Sequence, residues 1–143
     1  MRGLTVRQFR MEDTDGLLAL WDKCGITRWE PNPRQTIQKK MSHSPDGFLV
    51  GLRDEELVAS VLVGYDGLRG WMYRLAVAPS SRRQGIGRAM VDSAENWLRG
   101  LGCVRAKLQV EERAREAVGF YERVGYEVQQ HVSMSRWLVP ADA

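Results

Sequence analysis

The chain has 143 residues, Lys+Arg 21 against Asp+Glu 18 for a net charge of +3, and a hydrophobic fraction of 43%. These totals suit one domain with a sizeable core, and they exclude both a disordered chain and a heavily basic coat for nucleic acid. The N-terminal residues hold no apolar signal core and no apolar run is long enough to span a bilayer, so a cytoplasmic protein without a membrane partner is expected.

Residues 4–9 alternate weakly with a period of two and read as an opening strand. Glu12, Asp13 and Asp15 favour a helix N-terminus, and Leu17, Leu20, Trp21 and Cys24 mark one face of that helix before Gly25. Asn32-Pro33 supplies an N-cap followed by proline at the first helical position; Ile37 and Met41 lie on one face, with Lys39 and Lys40 outward, before Ser44-Pro45-Asp46-Gly47 breaks the pattern. The apolar, β-branched stretches 48–52 and 57–65 flank a polar turn and predict an antiparallel hairpin. A second turn at 66–70 leads into a strand over 71–77. Ile86, Met90, Ala94, Trp97, Leu98 and Leu101 then recur at helical spacing. Residues 104–110 alternate as a half-buried strand, expected to pair in parallel because a helix precedes it. Ala117, Phe120, Tyr121 and Val124 mark a short helix closed by Gly125, and 126–130 and 132–138 alternate as a final pair of strands. Cys24, Cys103, His43 and His131 are isolated, so free thiols and no metal are expected.

Between the strand 71–77 and its helix runs Arg82-Arg83-Gln84-Gly85-Ile86-Gly87-Arg88, a basic turn with two glycines. The first N–H groups of a helix have no intrahelical partners and sit at the positive end of its dipole, so this junction is suited to a phosphate. Glycine lets a ligand approach the backbone, and the arginines add positive charge. A dinucleotide fold would need a third glycine at 90, where Met90 stands, and a P-loop would need Lys-Ser/Thr after its glycine.

The element order, with Arg82, Gly85 and Gly87 directly after a strand containing Leu75-Ala76-Val77 and Phe120-Tyr121 on a later helix before Gly125-Tyr126, resembles the GNAT N-acetyltransferase superfamily over nearly the whole chain. The strings Phe48-Leu49-Val50 and Gly64-Tyr65-Asp66-Gly67-Leu68-Arg69-Gly70 look like a small bacterial subgroup, the YpeA-type acetyltransferases. The resemblance implies a single-domain α+β fold, a central mixed, mostly antiparallel twisted sheet of about seven strands with about four helices. It implies acetyl-CoA as cosubstrate, its pantetheine arm along Leu75, Ala76 and Val77 and its diphosphate on Arg82, Arg83, Gln84, Gly85, Ile86, Gly87 and Arg88. Tyr121 would be the general acid that protonates the leaving thiolate; a phenol of pKa about 10 stays neutral at pH 7 and can make that transfer. The acceptor would be a small-molecule or peptide amine, with Trp29, Glu30 and Asp66 as candidate substrate residues, and homodimers are common among relatives.

Two positions depart from the family pattern. Ala114 stands where many relatives carry an asparagine that caps the tyrosine helix, and the strand 71–77 lacks the carboxylate that often serves as general base. These departures keep a non-catalytic acyl-CoA-binding module as the rival class. A nucleic-acid-binding domain is disfavoured by the small net charge and the absence of a recognised motif.

Overall fold

In the computed structural model, which describes residues 3–140, β1 (Leu4–Gln8), β2 (Phe48–Arg53), β3 (Glu56–Tyr65), β4 (Gly70–Val77) and β5 (Ala106–Leu108) form one sheet in that order. The first four pair antiparallel, and β4 pairs parallel with β5. A parallel neighbour needs a crossover, which α3 (Ile86–Gly100) provides. The β2–β3 hairpin closes in two residues: Arg53 pairs with Glu56, and Asp54 and Glu55 both take positive φ, the geometry of a turn whose twist matches the strands.

Residues 58–63 of β3 are all buried, so this strand is covered on both faces. Leu17, Leu20 and Trp21 of α1 (Thr14–Lys23) recur at helical spacing and pack on one face, where Trp21 Nε1 meets Ser60. α3 buries Ile86, Met90, Val91, Ala94 and Leu98 against the other, on which a Cβ at Gly51 would touch both Met90 and Ala59. Each large apolar side chain so buried contributes roughly 1.5–3 kcal/mol. Phe9 and Phe48 stack with ring centroids 4.3 Å apart.

α2 (Pro33–His43) starts as its sequence predicts, Gln35 N donating to the Asn32 side chain at 3.3 Å with proline at the first position. Lys40 departs from expectation, for it is buried rather than outward. Its Nζ donates to Ser44 Oγ at 2.8 Å and to the Val63 carbonyl, over the Tyr73 ring. The 3-10 turn Pro45–Gly47 closes on the same carbonyl so tightly that a Cβ at Gly47 would lie 2.2 Å from Val63 O.

The described residues pack as two units that divide between Gln109 and Val110. In the second, a 3-10 turn at Glu112–Ala114 precedes α4 (Ala117–Arg123), on which Phe120 and Tyr121 meet edge to face. The expected sheet of about seven strands is corrected to five, because residues 126–130 and 132–138 form no ladder among the described residues. Alternation specifies a strand only where one face is buried, and Val128, Val132, Met134, Trp137 and Leu138 are all exposed. β5 is likewise shorter than 104–110, with Val104 outside it and exposed.

Burial drives the Lys40 ammonium below its ordinary pKa, against the opposing pull of Asp46. The unfolded chain then holds this proton more tightly than the folded one, so the cost is full at low pH and is relieved as pH rises towards the ordinary lysine value. Lys40→Met should lie within about 1 kcal/mol of the wild type near neutrality. In urea unfolding between pH 7 and 10 the stability difference should then move in favour of the wild type as pH rises; a constant difference would show that Lys40 does not titrate this way.

Candidate active site

The parallel ladder between β4 and β5 covers only Gly70 to Met72. From Tyr73 onward the outer edge of β4 has no strand beside it among the described residues. Leu75, Ala76 and Val77 lie on this open stretch, Ala76 buried and paired with Ser60, Val77 paired with Ala59. Arg82 turns back on the strand: its Nε donates to the Val77 carbonyl at 3.1 Å, and Cys24 Sγ approaches the same oxygen at 3.4 Å. Arg82 therefore ties the turn to β4 as well as adding charge.

After the 3-10 turn Pro79–Ser81, Arg83 (φ 62°) and Gly85 (φ 81°) reverse the chain into α3. Gly85 occupies the cap position with no side-chain cap bond, and the first bond of the helix runs from Ala89 N to Gly85 O at 3.1 Å. The amides of Ile86 and Gly87 consequently lack intrahelical acceptors at the positive end of the dipole. Ile86 is buried and anchors this end, while Arg82, Arg83, Gln84, Gly85 and Arg88 are exposed. Gln84 Oε1 accepts from Arg53 Nη1, which joins the turn to the β2–β3 hairpin.

The loop between α1 and α2 brings Glu30 to β4, where both its oxygens accept from the Arg74 guanidinium. That guanidinium also lies 4.8 Å from the centroid of the Trp21 ring. Trp29 beside it is 70% exposed, with the Arg28 guanidinium over its ring. Asp66 is placed elsewhere, at the β3–β4 turn and so at the far end of β4 from the glycines. Its Oδ1 accepts from the amides of Arg69 and Leu68, each at 2.8 Å, and these bonds hold the carboxyl below its ordinary pKa. The structure thus joins Glu30 to the strand and leaves Asp66 fastening its own turn.

In the second unit Tyr121 is flanked by Phe120 and Tyr126, centroids 5.1 and 6.2 Å away, both edge to face. Burial pushes its phenol pKa up, and no hydrogen bond engages its hydroxyl among the described residues. α4 begins with Glu116 at its cap and no side-chain cap bond, and Ala114 lies two residues earlier at the end of the 3-10 turn. Sequence reading passed over Arg74 and Ser60. The available signal was one charge and one hydroxyl inside otherwise apolar strands, and Trp21, read as core, carries an indole N–H that needs a partner when buried.

This is an α+β acetyltransferase-type fold. A structure of a transcriptional regulator from Bacillus halodurans matches 94% of this chain and 99% of its own with a TM-score of 0.77 and 21% identity. A PaiA N-acetyltransferase from Thermoplasma acidophilum, solved with coenzyme A, matches 90% of this chain and 92% of its own with a TM-score of 0.73 and 19% identity. By sequence, residues 14–126 match the acetyltransferase (GNAT) family, and an acetyltransferase of Pectobacterium atrosepticum is 35% identical over 136 residues, 95% of this chain and 96% of the relative. The chain belongs to the GNAT acetyltransferase family.

The turn geometry carries its own test. A β-branched residue at the left-handed Gly85 position should cost about 1–2 kcal/mol, whereas asparagine tolerates that region. Gly85→Val should therefore lower stability in urea unfolding by clearly more than Gly85→Asn; equal losses would show that backbone conformation is not what selects glycine.

Proposed function

We propose that the protein transfers an acetyl group from acetyl-CoA to a primary amine, of a small molecule or a peptide, by direct attack of the amine on the thioester. The observation that carries this reading is continuity: the open edge of β4 runs, within one stretch of chain, into an uncapped helix N-terminus beside three arginines. A strand edge without a neighbour accepts an extended ligand as an added strand, which suits the amide-bearing pantetheine arm along Leu75 to Val77. The amides of Ile86 and Gly87, with the side chains of Arg83 and Arg88 nearby in sequence, suit a diphosphate. The name of the Pectobacterium relative and the coenzyme A bound in the Thermoplasma structure agree with this fit.

When bound, acetyl-CoA supplies an activated acetyl group and a thiol leaving group. The protein's part is to orient that ligand, hold the acceptor and manage protons. Tyr121, kept protonated by burial and with no hydrogen bond to its hydroxyl among the described residues, is suited to donate the proton that the leaving thiolate needs. Trp29 and Glu30 are the acceptor-side residues in this reading, an exposed ring and a carboxylate, and Asp66 serves its turn.

Coenzyme A at one hundred times its dissociation constant should stabilise the protein by about 2.7 kcal/mol, visible as a thermal shift. In a thiol-release assay over a broad amine and peptide panel, Tyr121→Phe should lower kcat about a hundredfold or more while leaving KM for acetyl-CoA nearly unchanged. Unchanged kcat would remove Tyr121 from proton transfer, and a thermal shift without thiol release from any acceptor would favour an acyl-CoA-binding module.

A further inference from the structure

From Gly70 to Tyr73 the register of β4 against β3 is regular, and only beyond it do Arg74 and Leu75 together face Val61. Alternation therefore puts Trp71 and Tyr73 on one face of the sheet and Gly70 and Met72 on the other. α3 covers the second face, where a Cβ at Gly70 would lie 2.6 Å from both δ carbons of Leu98. The first face carries aromatic rings and cations. Lys107, directly beside Trp71 in the ladder with β5, holds its Nζ 5.4 Å from the centroid of that ring. Lys40 of α2 places its Nζ 5.9 Å from the centroid of Tyr73.

These two ammonium groups differ in what engages them. Lys40 is committed to Ser44 and the Val63 carbonyl, with the carboxylate of Asp46 near enough to act on it. Lys107 is half-buried, and among the described residues no ion pair or hydrogen bond engages its three N–H donors; its contact is the Trp71 ring. The carboxylates of the neighbouring loops are taken, Glu30 by the Arg74 guanidinium and Asp66 by the amides of its own turn. There is also room. Gly64 is the partner of Trp71 on β3, and a Cβ there would touch nothing within 4 Å. The Tyr73 ring is 46% exposed, and burial of the remainder, against the pull of Arg74, raises its phenol pKa, which keeps the hydroxyl a donor at neutral pH.

In the proposed reaction the diphosphate lies at the turn after Val77 and the pantetheine arm runs back along the strand to Leu75, so the thioester arrives beside Tyr73. Val61, which faces Leu75, and Gly64, which faces Trp71, are three residues apart on β3, a span of roughly 10 Å. We propose that Lys107, with Trp71 and Tyr73, forms a recognition site for an anionic group, a carboxylate or a phosphate, carried by the acceptor several bonds from its amine. The proposal rests on the acetyl-transfer reading. The amine end forms the new C–N bond as the C–S bond breaks and the leaving thiolate takes up a proton; the anionic end only binds. An aromatic face repels an anion, so the anionic oxygens meet the ammonium and the Tyr73 hydroxyl while the apolar stem lies on the rings. Lys107 thereby exchanges a cation–π contact for stronger, charge-assisted hydrogen bonds.

The test measures thiol release from acetyl-CoA with 6-aminohexanoate, 6-aminohexyl phosphate and the uncharged 6-aminohexanamide. In the wild type, kcat/KM should be about tenfold or more higher for at least one anionic amine than for the amide, and the better of the two identifies the group. Lys107→Gln should abolish that preference by raising KM for the anionic acceptor alone, and Lys107→Arg should keep it, with KM for acetyl-CoA changed little in both. Equal rates with charged and uncharged acceptors, or a preference that survives Lys107→Gln, would overturn the site. Thiol release from none of the three, while coenzyme A still gives a thermal shift, would overturn it too and leave the cofactor reading standing. No thermal shift with either acetyl-CoA or coenzyme A would overturn the acetyl-transfer reading and the site with it.

Discussion

β4 hydrogen-bonds with β3 at both of its ends but with β5 only from Gly70 to Met72, and this asymmetry sets what the first unit can do. An uncovered strand edge is an unmet demand for hydrogen bonds, satisfied by water, by another chain or by a ligand. The bulge opposite Val61 begins just beyond the last residue paired to β5, where such a feature sharpens strand twist and re-aims the backbone. The ladder with β3 resumes at Ala76, so the irregular stretch is bracketed by regular pairing on both sides. Arg74 can hold its unfavourable backbone conformation because β3, buried on both faces, gives it a rigid support.

The same packing places the helix terminus. The buried stripe of α3 begins at its first residue, Ile86, and continues through Met90, Val91, Ala94 and Leu98. Seating Ile86 in the core brings the start of the helix against the sheet while Gly85 and its neighbours remain exposed. The amides that a phosphate would need are therefore oriented by apolar burial before any charged group contributes. Arg82 reinforces this by bonding the Val77 carbonyl, so that the end of the strand and the start of the turn are fixed together.

Much of this was legible in the sequence, for reasons that differ by element. The helical faces of α1 and α3 follow from periodicity, which records which side chains must be buried, and the hairpin of β2 and β3 follows from two apolar, β-branched stretches around a polar turn. Glycines at 85 and 87 between a strand and an amphipathic helix record a backbone requirement, and the structure meets it with a left-handed Gly85. Periodicity is silent about partners, however. Residues 126–130 and 132–138 alternate as 104–110 do, yet of these stretches only Ala106–Leu108 has a ladder beside it among the described residues. Lys40 reads as a surface lysine because the carbonyl that receives it belongs to a strand 23 residues further on. The Arg74 bulge was illegible for the same reason: it depends on register between two strands and on an indole from α1.

Where the loop between α1 and α2 meets β4, electrostatics and shape separate. Glu30 and Arg74 form a neutral pair, their side chains only 20% and 19% exposed, and each carboxylate oxygen already accepts from the guanidinium. A carboxylate so engaged offers an incoming ammonium its remaining lone pairs but little net charge, since the cation beside it cancels the field at longer range. The exposed Trp29 ring, with the Arg28 guanidinium over it, is the largest exposed apolar side chain on this loop. An aromatic face attracts a cation at short range through its quadrupole, and the chain's own Arg28 makes that contact here.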